Sequence, residues 1–429
     1  MTKLTLGVTL KEQGRFDIVL RTGVEYSDME RIDYVSRIES ARVYDVARVT
    51  ALDRARRLSD RLGANIYLKR EDTQDVHSFK IRGAYQKMSG LPAAELAKGV
   101  LAASAGNHAQ GVALSAKVLG AKATIVMPET TPRIKSDEVA SYGAEIVLKG
   151  ETYSDAAEEA KRLVEEKGLV FIPPYDDPDV IAGQGTVAKE ILEQRPEVDS
   201  IFVPIGGGGF AAGVSAYVKG VKPSVKVYGV EPDDSDCMAR SIEAGHPVTL
   251  EHPGLFADGV CVKRPGDETF RICRACLDGI VRVSMSETCM ATQDIFEATR
   301  SVCEPAGALG LAALKKTVKR GETAVAIISG ANMNFASLCF VSSDAAFARL
   351  KDEVLADGRV DLAEAQLILT LLDESFTPSE PLAHLMKLLR SAVGGGAVSE
   401  AQSRDIARAL GETLNLQMTT AEERRRFMY

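Results

Sequence analysis

The chain alternates between short apolar runs and segments in which apolar residues recur with the period of a helix. Seven apolar runs, rich in β-branched residues, have the length and composition of buried strands: 65–70, 99–104, 123–128, 145–150, 200–205, 226–231 and 324–330. Helical patterns such as DAAEEAKRLVEEKG at 155–168 lie between them. Strand followed by helix, repeated along a chain, is typical of parallel sheets, so we expect an α/β fold from residue 66 to 330.

The pattern changes near residue 346, where strand-like runs stop and three helical segments follow. Ser379 and Ser399 stand where N-caps are expected, and the glycines at 394–396 predict a loop. ADGRVDLAE resembles part of a calcium loop but lacks its full set of ligands, so a helix-capping turn is favoured. We therefore predict a separate helical C-terminal element at 346–429.

Composition and charge exclude several classes of function. The 429 residues carry 52 basic and 60 acidic side chains, for a net charge of −8, and no extended basic run suggests nucleic-acid binding. No stretch of about 18 apolar residues predicts a membrane span, and acidic residues near the N-terminus argue against a transit peptide. Seven cysteines without paired CxxC motifs indicate free thiols in a reducing compartment. We expect a cytoplasmic protein without a metal site.

The motif HSFKIRGA at 77–84 contains a candidate reactive lysine. Lys80 follows Phe79, and an aromatic neighbour together with the following RGA sequence indicates partial loss of hydration. Desolvation lowers the pKa of a lysine towards the reactive free amine. Because most lysines are solvated surface charges, the motif alone does not establish chemistry.

A second candidate is the loop that follows the predicted strand 200–205. It consists of four glycines, namely Gly206, Gly207, Gly208 and Gly209, and a predicted helix begins near Phe210. Glycines leave backbone N–H groups unobstructed, and a helix N-terminus adds positive partial charge, so the loop predicts a phosphate site. Gly206, Gly208 and Ala211 also fit a loose GxGxxA pattern with Glu231 after the next strand, which keeps dinucleotide binding open.

Two polar loops follow other predicted strands. Ser104, Gly106 and Asn107 in SAGNHAQG offer hydroxyl, amide and backbone donors suited to a carboxylate or a ring oxygen, although an ordinary N-cap would use the same residue types. Ser329 in IISGAN could bond a heterocyclic nitrogen while remaining uncharged. His108 is expected to be a structural residue. An amine that forms imines together with a phosphate cradle is what pyridoxal 5'-phosphate requires, so this cofactor is favoured over a nicotinamide.

From about residue 33 to 345 the chain resembles the fold type II pyridoxal-phosphate enzymes, and among them the biosynthetic threonine dehydratases. The resemblance rests on the ordered motifs LKRED, HSFKIRGAY, ASAGNHAQGVA, PPYDDPDVIAGQGT, VPIGGGGFAAGV, GLFADGVCVKRPGDETF, CEPAGALGLAALKK and ISGAN. It implies a fold like that of the tryptophan synthase β subunit, with two lobes of parallel α/β sheets. The large, cofactor-binding lobe would comprise 33–71 and 173–345 and the small lobe 72–172, after an N-terminal extension at 1–32.

The resemblance also implies roles for individual residues. Lys80 would form the imine with the cofactor and Phe79 would pack beside its ring. Asn107 would bond the ring hydroxyl and Ser329 the pyridine nitrogen. The phosphate would be held by the four glycines and the amide of Phe210, and the substrate carboxylate by Ser104, Ala105 and Gly106. Glu231 and Asp236 are possible ligands of a divalent cation that some relatives bind, but structural roles are favoured for them.

The activity implied is deamination of L-threonine, with L-serine as a second substrate, to the oxo acid and ammonia, by a homodimer or homotetramer. Serine racemases of this fold carry a serine where this chain has Ala105, so we expect elimination with little racemisation. Elimination from another hydroxyamino acid, such as serine or 3-hydroxyaspartate, and an inactive ligand-sensing relative remain alternatives. The ACT-type regulatory sheet of the biosynthetic enzymes is not expected in 346–429, which puts inhibition by isoleucine in doubt.

Overall fold

The computed structural model describes residues 18–20, 33–334, 337–338, 341–342, 345, 348, 359–375 and 380–412. The chain forms two compact units, residues 1–332 and 333–429. The sequence-based boundary, 345/346, and the two predicted lobes stay predictions.

The first unit contains two β-sheets. Its eleven described strands are β1 (Ile18–Leu20), β2 (Leu52–Arg54), β3 (Asn65–Arg70), β4 (Val100–Ala103), β5 (Ala123–Met127), β6 (Glu145–Leu148), β7 (Val170–Phe171), β8 (Ser200–Pro204), β9 (Lys226–Pro232), β10 (Gly279–Val283) and β11 (Thr323–Ile328). The larger sheet has the order β1-β10-β9-β8-β11-β3-β2, and the smaller has the order β6-β5-β4-β7. All pairs are parallel except the two edge pairs, β1 with β10 and β2 with β3. The predicted parallel α/β fold is confirmed.

Helices connect these strands. In the first unit they are α1 (Tyr34–Glu39), α2 (Arg56–Leu62), α3 (Lys80–Ser89), α4 (Ala93–Leu96), α5 (Asn107–Leu119), α6 (Arg133–Ser141), α7 (Tyr153–Lys167), α8 (Pro178–Gln194), α9 (Gly209–Val221), α10 (Cys237–Ala244), α11 (Asp267–Cys276), α12 (Met285–Thr299) and α13 (Pro305–Thr317). No helix among the described residues is long and apolar enough to cross a membrane.

The larger sheet is covered on both faces, which explains its continuous apolar runs. In β11, Val325 and Ile327 pack into the core with α8, α9 and α11, whereas Ala326 and Ile328 pack on the opposite face with α12 and α13. Alternate side chains of a strand point to opposite faces, so a strand buried on both sides must be apolar throughout. The strands missed by the sequence analysis are β1, β2, β7 and β10, of which all but β10 have only two or three residues.

A buried network of charges fixes helix α3, whose first residue is Lys80. The Arg82 guanidinium donates to Glu71 Oε2 at 2.7 Å and to Glu190 Oε1 at 2.6 Å. Lys69 Nζ donates to Glu190 Oε2 at 2.6 Å. These four side chains are at most 1% exposed, and two positive charges balance two negative ones. Because removing one member would leave a buried charge without its partner, the network holds β3, α3 and α8 in one arrangement.

The described part of the second unit contains α14 (Leu362–Ser375), α15 (Glu380–Gly394) and α16 (Glu400–Glu412). The three helices share an apolar core that includes Ile368, Leu389 and Ile406. Asp361 and Glu364 form a reciprocal capping pair at the start of α14, as the turn interpretation predicts. Ser399 caps α16 in the same way with Gln402, whereas Ser379 lies outside the described residues.

Candidate functional site

Lys80 lies where two distant segments meet. The amide of Phe79 donates to the Ser329 carbonyl at 3.1 Å, and the amide of Ala331 donates to the His77 carbonyl at 2.9 Å. The segment before α3 is therefore paired with the segment that follows β11. Lys80 Nζ is partly buried and donates to the carbonyl of Pro174 at 2.8 Å. This pairing places the lysine predicted to be reactive next to the predicted Ser329 loop.

Burial lowers the pKa of Lys80 to about 8, and the nearby Glu304 carboxylate opposes this shift. Removing water disfavours the ammonium form, while a negative neighbour favours it. Helix α5 packs closely against Lys80: a Cβ atom at Gly111 would lie 3.1 Å from the Lys80 carbonyl oxygen. The fraction of Lys80 that is a free amine near neutral pH is therefore far larger than for an exposed lysine, and the free amine is the state needed for nucleophilic or general-base chemistry.

The glycine loop between β8 and α9 presents its N–H groups while its carbonyls are held by the protein. Thr269 Oγ1 donates to the Gly207 carbonyl at 2.6 Å, and the amide of Ala212 donates to the Gly208 carbonyl at 2.8 Å. Within the described part of the chain, the amide hydrogens from Gly206 to Phe210 have no protein acceptor. Free N–H groups at a helix N-terminus form an anion site.

Only glycine fits this loop. Gly208 has a φ of +96°, and a Cβ atom there would lie 2.6 Å from Met238 Cε. At Gly209 a Cβ atom would lie 2.8 Å from the carbonyl oxygen of Tyr175. The cradle therefore suits a phosphate group such as that of pyridoxal phosphate, and the side chains packed around it leave no room for a substituted loop.

Phe79, which precedes α3, packs against Phe210, the second residue of α9. Their ring centroids are 3.9 Å apart and their planes differ by 10°. This stacked pair links the lysine segment to the glycine loop, so the two features are brought together in space. Lys80 Nζ lies 5.4 Å from the centroid of the Phe79 ring.

Asn107 is the first residue of α5 and bonds two further polar side chains. Its Nδ2 donates to Glu304 Oε1 at 2.7 Å, and its Oδ1 accepts from Asn332 Nδ2 at 2.7 Å. The preceding loop is partly exposed: Ser104 Oγ accepts from the Gly106 amide at 3.3 Å, and no heavy atom lies within 4 Å of a Cβ atom placed at Gly106. The predicted substrate loop, with Ala105 at its centre, thus has open space beside it.

Glu304 is a site residue that the sequence analysis missed. It is 2% exposed and precedes α13, whose first residue is Pro305. Burial and, to a lesser extent, Asp258 raise the pKa of its carboxyl to about 7, while Asn107 and Lys135 act in the opposite direction. The signal that could have revealed it is an acidic residue before a proline and a wholly apolar helix, in CEPAGALGLAAL.

Ser329 and His108 are both buried beside this cluster. Ser329 is 3% exposed, and its Oγ donates to the Ala306 carbonyl at 3.3 Å. His108 Nε2 lies 2.9 Å from the Ile172 carbonyl oxygen, and burial lowers its pKa to about 3, with the positive charge of Lys80 adding to the effect. His108 is therefore neutral at physiological pH and can donate that bond to the backbone.

Glu231 does not have the position that a nicotinamide site needs. Its oxygens accept the amides of Met238 at 2.9 Å and Ala239 at 2.8 Å at the start of α10, and it is fully buried. Burial raises the pKa of its carboxyl to about 8. The acid is used to cap a helix and is not available to a ribose. Asp236 pairs instead with Arg240 and Arg282.

Curated proteins with a similar sequence include biosynthetic threonine dehydratases. The chain is 52% identical over 328 residues to a biosynthetic L-threonine dehydratase of Pasteurella multocida, a match that covers 76% of this chain and 64% of the relative. It is 53% identical over 332 residues to the chloroplastic biosynthetic threonine dehydratase of Arabidopsis thaliana, covering 76% of this chain and 56% of that protein. The chain thus matches about two thirds or less of these relatives' length.

Solved structures show the same fold. The processed form of threonine deaminase isoform 2 from Solanum lycopersicum matches with a TM-score of 0.75 and 43% identity, over 78% of this chain and 94% of that one. Maize serine racemase matches with a TM-score of 0.68 and 34% identity, over 71% of this chain and 95% of that one.

The sequence profile described as pyridoxal-phosphate dependent enzyme matches residues 43–330. The fold type and the cofactor predicted from the lysine and the glycine loop are those of this group. Residues 43–330 make up most of the first unit, including Lys80, the glycine loop, Asn107 and Ser329. The chain therefore belongs to the family of pyridoxal-phosphate dependent enzymes.

Proposed function

We propose that this protein is a threonine dehydratase, which converts L-threonine to 2-oxobutanoate and ammonia and also accepts L-serine. The observation that carries the proposal is the 52% identity over 328 residues to a biosynthetic L-threonine dehydratase. The family match at residues 43–330 includes Lys80, the glycine loop, Asn107 and Ser329. The roles of these residues below are part of the proposal.

Bound pyridoxal phosphate would supply an aldehyde for the amino group and a ring that withdraws electrons from Cα. The free N–H groups of the glycine loop, with the Phe210 amide, would hold its phosphate. Phe79 would pack beside the ring, and Asn107 Nδ2 would donate to the ring oxygen. Ser329 would offer its neutral hydroxyl to the ring nitrogen in place of its 3.3 Å bond to the Ala306 carbonyl.

Lys80 would take the Cα proton as its free amine, which its lowered pKa favours. The substrate carboxylate would lie against Ser104, Ala105 and Gly106, at the N-terminal end of α5. Because the Ser329 hydroxyl does not hold a proton on the ring nitrogen as a carboxylate would, departure of the β-hydroxyl is the favoured outcome after Cα loses its proton.

The central test is turnover by the purified protein and by Lys80→Ala. We expect 2-oxobutanoate from L-threonine with the unsubstituted protein, and a loss of kcat of about 10²-fold or more in the variant, since a general base contributes about 10² to 10⁴. Lys98→Ala, at an exposed position, is the matched control and should retain turnover. Full activity of Lys80→Ala would refute the role of Lys80.

Serine racemisation is a second candidate, favoured by the likeness to maize serine racemase. Ala105 argues against it, because a methyl group cannot exchange a proton on the second face of Cα. Chiral chromatography of L-serine and L-threonine after incubation should show oxo acid and little D-isomer. Faster formation of the D-isomer than of oxo acid would favour the racemase.

The substrate range separates the remaining alternatives. Oxo-acid release from a panel of threonine, serine and 3-hydroxyaspartate would identify the preferred hydroxyamino acid. A protein that binds these amino acids without releasing oxo acid would instead be the inactive ligand-sensing relative. We place the enzyme in the cytoplasm as a homodimer or homotetramer, which fractionation and light scattering would test.

A further inference from the structure

A chain of directed hydrogen bonds leads from the backbone to a buried acid. Asn332 Nδ2 donates to the Val76 carbonyl at 2.8 Å and to Asn107 Oδ1 at 2.7 Å. Asn107 Nδ2 then donates to Glu304 Oε1 at 2.7 Å. The first acceptor is a main-chain carbonyl, which cannot donate, and this fixes the direction of every following bond. The two amide orientations are thus determined by the network.

The direction of these hydrogen bonds leaves one N–H group of Asn107 available. An Asn side-chain amide has two N–H groups. One N–H group of Asn107 is used by Glu304, and the second has no acceptor among the described residues. If the amide of Asn107 were rotated by half a turn, the carbonyl oxygen would take this place. The orientation therefore decides whether the site presents a donor or an acceptor there.

Glu304, the last acceptor in this series of hydrogen bonds, is enclosed by the residues around it. A Cβ atom at Gly330 would lie 2.6 Å from Glu304 Oε1, and one at Gly259 would lie 3.2 Å from it. The neighbouring Asp258 pairs with Lys135 of α6 at 2.5 Å. The charged groups that act on Glu304 are thus Asp258 and Lys135, and Glu304 in turn acts on Lys80.

We propose that Asn332 and Glu304 are positioning residues, which together hold the Asn107 amide so that its second Nδ2 hydrogen is presented to the anionic ring oxygen of pyridoxal phosphate. This inference rests on the cofactor contact assigned to Asn107 in the proposed function. A hydrogen bond to the ionised form of a group favours that form. The orientation would therefore keep the ring oxygen ionised at neutral pH.

The sharpest test of the proposal is to reverse the direction of the hydrogen bonds to Asn107. In the double variant Asn332→Asp with Glu304→Gln, the new carboxylate can only accept and the new amide can donate. The Asn107 amide is then stable in the opposite orientation, with its oxygen facing the ring oxygen. We expect the visible absorption band of the cofactor-bound protein to titrate with a midpoint raised by about one pH unit or more.

The single variants separate orientation from charge. Glu304→Gln alone leaves Asn332 to orient Asn107, so its midpoint should be no higher than that of the unsubstituted protein. Asn332→Asp alone should raise the midpoint. Asn65→Asp is the matched control, because Asn65 is the first residue of β3 and pairs with the exposed Arg54.

Two outcomes would overturn the proposal. One is an unshifted midpoint in the double variant when it is folded and loaded with cofactor. The other is a rise in Asn332→Asp at least as large as that in the double variant, which would make the added negative charge the cause. Should the double variant fail to bind cofactor, Glu304→Gln decides: an unraised midpoint supports the proposal, and a raised one would overturn it, because Asn332 alone would then not orient Asn107. The titration uses no substrate, so absence of turnover on threonine would refute the proposed function without affecting this result.

Discussion

Lys80 shows how its surroundings alter an ordinary residue. Its side chain donates to the Pro174 carbonyl, and burial lowers its pKa to about 8 while Glu304 opposes the shift. The motif HSFKIRGA suggested desolvation from Phe79, which lies 5.4 Å from Nζ. The opposing charge comes from a residue 224 positions later in the chain, Glu304, and no local pattern contains it.

The protonation of Lys80 predicts how the protein acquires its cofactor. Only the free amine attacks an aldehyde, and its fraction increases as the pH rises through about 8. The rate of cofactor incorporation into the apoprotein, followed by absorbance, should rise between pH 7 and 9 and then level off. Glu304→Gln removes the charge that favours the ammonium form, so its midpoint should be lower. A rate that keeps rising well above pH 9 would contradict the lowered pKa.

The predicted site residues lie in loops that follow the carboxyl ends of three strands. The glycine loop follows β8, the Ser329 loop follows β11, and the substrate loop follows β4. The carboxyl ends of parallel strands, followed by helix N-termini, are where open α/β sheets bind ligands. The short β8–α9 turn is possible because Gly208 has a positive φ and no side chain.

Substitution of Gly208 should therefore damage both folding and cofactor binding. Gly208→Ala introduces strain at a φ of +96° and a contact with Met238, whereas Gly143→Ala has a φ of +88° with no atom within 4 Å. Both should lose about 1 kcal/mol of stability from backbone strain, and Gly208→Ala about 1–3 kcal/mol more. Urea unfolding measures the stability.

Cofactor titration should show weaker binding, by about tenfold or more, for Gly208→Ala alone. Equal effects of the two substitutions would contradict the crowded loop.

At the scale of the whole molecule, the chain is built from two compact units. All the residues proposed to bind cofactor or substrate lie in residues 1–332. The described part of the second unit consists of three helices with their own apolar core. The expectation that isoleucine does not regulate the enzyme concerns this second unit, and it stays a prediction.

The two units should respond differently to the cofactor. A ligand that binds only the native state raises the stability of the unit that holds it. Calorimetry of the full chain should show two transitions, and raising the cofactor concentration should increase the Tm of only the one that belongs to residues 1–332. A single transition that moves as a whole would show that the units unfold together.

Much of the fold could be predicted from the sequence because it depends on residues that are neighbours along the chain. Apolar runs of six or seven residues predicted four of the seven strands of the larger sheet and three of the four strands of the smaller one. Strands buried on both faces are apolar throughout, which makes them easy to recognise. The short edge strands β1, β2 and β7 have too few residues for a pattern. Four consecutive glycines predicted an anion cradle because backbone geometry alone makes one. The lysine and this loop together indicated pyridoxal phosphate, which the family match confirms.

By itself the sequence determined the parallel α/β fold, the glycine loop and the lysine motif, because strand burial, helix period and turn chemistry depend on neighbouring residues. The tertiary structure decided that Arg82, two residues after Lys80, is fully buried in a network of charges. It also decided that Asn107 lies between Glu304, 197 residues away, and Asn332, 225 residues away. The function of a charged group or of a hydrogen-bond donor depends on its partner. Partners that are far apart in the sequence come into contact only when the chain folds.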